Sequence, residues 1–190
     1  MLSKIEFRDL FISVLVLSFA FYQAFSIDFL TALIIITLAF VLHELSHRYL
    51  ARRYGCFAEY RMWPLGILLA LLSSFIGIIF AAPGAVYISP YCREKNFAFR
   101  VVHLTKKEYG KISLAGPFTN IVTGFISLFL LILYPLEIFS IISSITFFLA
   151  LFNLLPFFPL DGSKVFAWDR RIWLSVFVVA LIGLISLNLI

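Results

Sequence analysis

The sequence predicts an all-α polytopic membrane protein, with about five transmembrane helices, a re-entrant hydrophobic segment and a short β-like stretch. Three observations carry that prediction. Of the 190 residues, 63% are hydrophobic and only 13% charged, giving a mean hydropathy of +1.06, which is far from the composition of a soluble domain. The apolar residues gather into runs near the roughly 20 residues that a helix needs to cross hydrocarbon. The Lys and Arg residues fall between those runs with a bias that topology explains. The 23 Phe residues suit lipid-facing and bundle-filling positions. Trp63, Trp168 and Trp173 lie near segment ends, where interfacial aromatics sit.

Taken in order, residues 10–26 form the first apolar run, and a short connection at Ser26-Ile27-Asp28 leads into a second over residues 29–50. Arg48, Arg52, Arg53 and Arg61 follow it and mark that end as cytoplasmic. Residues 65–82 are apolar and bracketed by Pro64 and Pro83. Residues 83–90 read as a short extended stretch between turn signals. A polar, basic region covers residues 91–111, where Thr105 and Glu108 have capping-box spacing and start a helix. Residues 112–134 are a clear span interrupted early by Gly116-Pro117, and residues 138–158 are another. Pro159-Leu160-Asp161-Gly162 breaks the chain before a charged bridge at residues 168–171 and a last span at residues 172–190. No internal repeat or linker divides the chain, so a single membrane domain covers residues 1–190, with its core at about 29–164.

Whether residues 65–82 cross is a matter of counting charges. A crossing splits the Lys and Arg residues six against nine, whereas a segment that dips and returns puts all 15 on one side with the N-terminus. The positive-inside rule favours the second arrangement, a multi-pass protein of the cell membrane with its N-terminus cytoplasmic. It also explains the net charge of +5 without nucleic acid. No small-residue cleavage site follows the first apolar run, so that run is expected to stay. Cys56 and Cys92 are far apart and read as two reduced thiols in loops.

Residues 41–48, Val-Leu-His-Glu-Leu-Ser-His-Arg, concentrate the chemistry. On a helix His43 and His47 are one turn apart and leave the same face, with Glu44 beside them. That is zinc-hydrolase spacing: two neutral nitrogen ligands and a carboxylate placed to act on a water at the metal. Ionisable groups on a membrane-length helix are costly and are functional candidates for that reason. A catalytic zinc takes a third protein ligand. His103, in the basic loop, is a weak candidate. Asp161 is the better one, because Pro156 and Pro159 unwind the chain near it and Gly162 allows close backbone approach, although a plain Asp-Gly turn would look the same. Asp161 and His47 can share a metal only if an even number of crossings separates them, which the re-entrant arrangement provides.

Three motifs resemble the site-2 proteases, a family of intramembrane zinc metalloproteases. They are His43-Glu44-Leu45-Ser46-His47, Ala115-Gly116-Pro117-Phe118-Thr119-Asn120, and residues 153–162, Asn-Leu-Leu-Pro-Phe-Phe-Pro-Leu-Asp-Gly, in that order and each on an apolar segment. The resemblance implies one zinc per chain held by His43, His47 and Asp161, Glu44 as catalytic acid and base, and Asn153 as a polar partner near the reacting carbonyl or the substrate backbone. It implies a single-span membrane protein as substrate, no nucleic acid partner, and an active-site opening on the cytoplasmic side. The chain departs from the family pattern at the longer 65–82 insert and at Ser163-Lys164, which replaces the usual second Gly. Two other readings stay open from the residues: a membrane metalloprotease acting on tails at the cytoplasmic face, and a catalytically inactive membrane metal-binding protein.

Overall fold

Charge at the start of the first helix shapes the N-terminal half of the protein. In the computed structural model, which describes residues 2–25, 27–89, 91–93, 99–101 and 103–187, helix α1 (Lys4–Phe25) opens with Lys4, Glu6, Arg8 and Asp9. Glu6 and Asp9 are nonetheless buried, because each carboxylate meets the edge of strand β1 (Phe57–Met62). Glu6 Oε1 accepts from the Tyr60 backbone N–H at 3.2 Å, and Asp9 Oδ2 accepts from that of Met62 at 3.4 Å. Two orphan donors of a sheet edge are thus satisfied by a helix. Glu6 Oε1 also pairs with Arg48 Nε at 2.8 Å, and the Tyr60 hydroxyl shares a hydrogen bond with Ser13 Oγ at 2.8 Å.

The second helical rod has three parts: α2 (Phe29–Ile36), a π turn (Thr37–Val41) and α3 (Leu42–Arg53). Asp28 caps it by accepting from the Thr31 backbone N–H, and these hydrogen bonds hold the Asp28 carboxyl below its ordinary range. A π turn inserts one residue into the rod, turning the later side chains by about 100° relative to an unbroken α-helix. It ends two residues before His43. The chain then runs through β1 into α4 (Pro64–Ser74), reverses at Gly77 in the left-handed region (φ 74°), and returns as β2 (Gly84–Ser89). Strands β1 and β2 pair antiparallel, with Glu59 opposite Tyr87. A second two-stranded pair, β3 (Tyr91–Arg93) and β4 (Phe99–Val101), follows. Helix α5 (Lys106–Leu133) begins on the Thr105–Glu108 capping box. Then come α6 (Glu137–Asn153), α7 (Asp161–Trp168) and α8 (Arg170–Ser186).

Two apolar clusters hold the helices together. Leu17, Phe21, Ile35, Ile36, Phe40 and Leu149 join α1 and the second rod to α6, while Ile121, Phe147, Leu154 and Ala180 join α5, α6 and α8. A smaller cluster of Ala51, Ala58 and Ile112 ties α3 to β1 and α5.

The five-span bundle expected from composition is not what this chain forms, and neither is an all-α fold. Among the described residues only two helices are long and apolar enough to cross a membrane: Phe29–Arg53, with 25 residues, and Lys106–Leu133, with 28. The other apolar runs are shortened by features that hydropathy does not count. In α1 the first turns go to the charges that hold β1, leaving residues 10–25, about 24 Å of helix, against the roughly 30 Å of hydrocarbon. Helix α6 stops at Asn153, ahead of Pro156 and Pro159, so the run at 138–158 yields 17 helical residues, about 25 Å. The run at 65–82 is helical only to Ser74, an 11-residue helix. The extended stretch expected at 83–90 is strand over Gly84–Ser89, while Pro90 lies outside the described residues. Its partner β1 was not expected at all.

Because Glu6 is fully buried against Arg48 and the β1 edge, we expect Glu6→Ala to lower stability by about 3–5 kcal/mol, the cost of stripping one partner from a buried pair. Thermal unfolding in detergent measures this, and Lys4→Ala, at the exposed start of α1, serves as the silent control.

Candidate metal centre

Helical spacing puts His43 and His47 on one face of α3, and that face lies against α5. Their Nε2 atoms are 3.0 Å apart. Asp161, the first residue of α7, brings Oδ2 to 2.9 Å from His47 Nε2 and 3.4 Å from His43 Nε2. The three donors form a group able to hold a metal ion. Donors that each stand about 2.0–2.1 Å from a tetrahedral zinc lie about 3.3 Å apart, so the observed triangle has the right edge lengths. The donor set, two imidazoles and one carboxylate with a fourth position open, is that of catalytic zinc.

Residues behind the donors set their orientation. The Ile112 carbonyl is 2.7 Å from His47 Nδ1. A carbonyl only accepts, so Nδ1 carries the proton and the Nε2 lone pair faces the group. Asn120 meets His43 Nδ1 through its amide at 3.1 Å. Lys164, one turn along α7, places Nζ 3.6 Å from Asp161 Oδ1 and donates to the Pro159 carbonyl at 3.2 Å. Glu44 is buried beside the histidines, and its Oε2 has no hydrogen-bond partner among the described residues. An orphaned buried carboxylate oxygen is costly, and a reacting water at the metal is the partner it fits.

Two glycines make the assembly possible. A methyl group at Gly116 would stand 2.3 Å from His47 Nε2 and 2.5 Å from His43 Nε2. At Gly162 it would stand 2.1 Å from the Leu154 carbonyl oxygen, preventing α7 from seating Asp161 against the end of α6.

The structure therefore brings His43, His47 and Asp161 together with Glu44 alongside. It does not bring in His103, which is exposed. Asn153 closes α6 and uses Nδ2 on the Leu149 carbonyl of its own helix, 3.0 Å away. Cys56 is buried, and the Cys92 side chain lies outside the described residues. Sequence reasoning passed over Gly116, Asn120 and the Ile112 carbonyl as parts of the centre. The available signal was the spacing of Gly116 and Asn120, four residues apart on one helical face like the two histidines they meet.

This centre defines the class: a two-histidine, one-aspartate group able to hold a metal ion, with a buried glutamate beside the histidines. The comparisons agree. The chain is 42% identical over 184 residues to the protein named "Putative zinc metalloprotease MJ0611" of Methanocaldococcus jannaschii, covering 92% of this chain and 90% of that protein. It is 30% identical over 162 residues to "Putative zinc metalloprotease YwhC" of Bacillus subtilis, covering 77% and 71%. The chain belongs to this zinc metalloprotease family, and zinc is its cofactor. No family model matches the chain, and no solved structure does.

Gly116→Ala should weaken zinc binding by about tenfold or more, since its methyl group falls on both ligand nitrogens. Chelator competition reads this directly. Gly77→Ala, in open space away from the centre, should leave zinc affinity unchanged.

Proposed function

We propose that this metalloprotease hydrolyses peptide bonds of single-span membrane proteins at a site within the bilayer, as the site-2 protease resemblance implies. One observation supports this reading above others. The two helices of span length, Phe29–Arg53 and Lys106–Leu133, are the two that face each other across the centre. The first carries His43, Glu44 and His47, and the second carries Gly116 and Asn120. Between these helices lies an apolar groove lined by Leu42, Leu45, Tyr49, Leu114 and Phe118, beside the centre and not lined by His43, Glu44, His47 or Asp161. The arginines Arg48, Arg52 and Arg53 at the end of the first helix support a cytoplasmic position for that end and for the opening of the site.

The chemistry follows from the residues. His43, His47 and Asp161 hold zinc, which when bound supplies a Lewis acid for the scissile carbonyl and the attacking water. Glu44 takes the proton of that water through Oε2 and returns it to the leaving amine. Lys164 neutralises the outer oxygen of Asp161. A substrate helix must unwind locally, because its carbonyls are engaged in i to i−4 bonds. The extended segment would then pair with a sheet edge. Because Glu6 and Asp9 occupy the β1 edge, strand β2 is our candidate to pair with that segment. For Asn153 to serve the substrate backbone, Nδ2 exchanges its bond to the Leu149 carbonyl for one to the substrate.

The test is cleavage of a reconstituted single-span protein, with the products mapped by mass spectrometry. Cleavage inside the apolar stretch is expected. Cleavage confined to a soluble tail would replace this reading with a surface metalloprotease. Glu44→Gln should keep zinc and lose about 10²–10⁴ in rate, the usual share of a general acid–base, while Asp161→Ala should lose both zinc and cleavage. Full activity in Asp161→Ala would remove it from the ligand set.

A further inference from the structure

Asn120 stands within the core of α5, 1% exposed, and touches neither Glu44 nor Asp161 through any hydrogen bond among the described residues. Among the described residues its side chain hydrogen-bonds one partner, His43 Nδ1, at 3.1 Å from Nδ2, while its buried Oδ1 has none. Both facts are resolved by the same rotation. If Nδ2 donated to Nδ1, the proton of the neutral ring would have to sit on Nε2 and point at His47 Nε2 and Asp161 Oδ2, leaving no lone pair for zinc. Turning the amide end for end exchanges N for O, an assignment that the hydrogen-bond network decides. Oδ1 then accepts the Nδ1 proton, the orphan oxygen is satisfied, and Nε2 presents its lone pair to the centre.

We infer that Asn120 is the positioning residue that holds His43 in its zinc-binding tautomer, accepting the Nδ1 proton through Oδ1 just as the Ile112 carbonyl does for His47. The two ligand imidazoles are thus oriented by two acceptors on the same helix, one main-chain and one side-chain, eight residues apart on α5. Helix α5 supplies no zinc ligand of its own, yet it sets the tautomer of both histidines on α3. The consequence for specificity of substitution is sharp. Aspartate, an acceptor at the same reach, can replace Asn120, whereas leucine, similar in size and without an acceptor, cannot.

The inference rests on His43 being a zinc ligand, and the experiment separates the two claims. Zinc affinity is measured by chelator competition on the full-length protein in detergent for the native chain, His43→Ala, Asn120→Leu and Asn120→Asp, with thermal unfolding of each zinc-free variant alongside. We expect His43→Ala to lose binding, Asn120→Leu to bind zinc about 10–100-fold more weakly, and Asn120→Asp to recover to within about threefold of native. Loss in His43→Ala with native affinity in Asn120→Leu would overturn the role of Asn120 and leave the ligand set standing. Native affinity in His43→Ala would overturn the ligand assignment itself. Equal weakening in Asn120→Leu and Asn120→Asp would show that packing alone is at stake, which also overturns the inference. Should Asn120→Leu not fold, proton-coupled ¹⁵N spectra of the zinc-loaded native protein decide it. A proton on His43 Nδ1 is required, and its absence contradicts the assignment.

Discussion

Everything at the centre depends on how closely α5 approaches α3. Gly116 lies against both ligand nitrogens, and from that contact Ile112 and Asn120, on the same side of α5 a turn before and after it, reach the two Nδ1 atoms. A side chain at 116 would move the helices apart and cost both hydrogen bonds together. Small residues that let membrane-length helices touch are a general packing device, and here the same device lets one helix orient the metal ligands of the other. Ser46 and Thr119 add a polar contact of 2.7 Å at the same interface.

The rest of the chain serves this contact from two directions. On one side Glu6 binds Arg48, the residue after His47, and the Tyr60 backbone N–H through the same oxygen. The small sheet is thereby fixed relative to the zinc-binding turn, and one sheet edge is closed. On the other side α6 ends, the chain turns through the prolines, and α7 begins at Asp161 with Gly162 packed on the Leu154 carbonyl. The third donor is delivered at the first residue of a new helix. The backbone N–H groups of that first turn and the Lys164 ammonium both favour its ionised form.

Much of this centre was legible in the sequence because its signals are local. The i, i+4 spacing of His43 and His47 needs only a helix to become a half-site, and the two prolines just before Asp161 announce a break that frees a carboxylate. Asn120 was harder to see: the motif that contains it is visible, but its partner lies 77 residues earlier. The fold was over-read in the direction of lipid. Hydropathy treats an apolar run as a span, whereas helix length is decided by caps, prolines and the charges that α1 commits to β1. Strand β1 escaped notice because Glu59 and Arg61 make it look like polar loop, although Ala58 and Tyr60 are buried. The π turn at Thr37–Val41 has no signature in its five apolar or β-branched residues.

The central claim is that zinc is held by two imidazoles of α3 and one carboxylate of α7. X-ray absorption at the zinc edge tests it on the intact protein. The account predicts a first shell of nitrogen and oxygen at about 2.0–2.1 Å, with outer-shell scattering from two imidazole rings and no sulfur. A sulfur neighbour near 2.3 Å, or scattering from one ring or three, would contradict it.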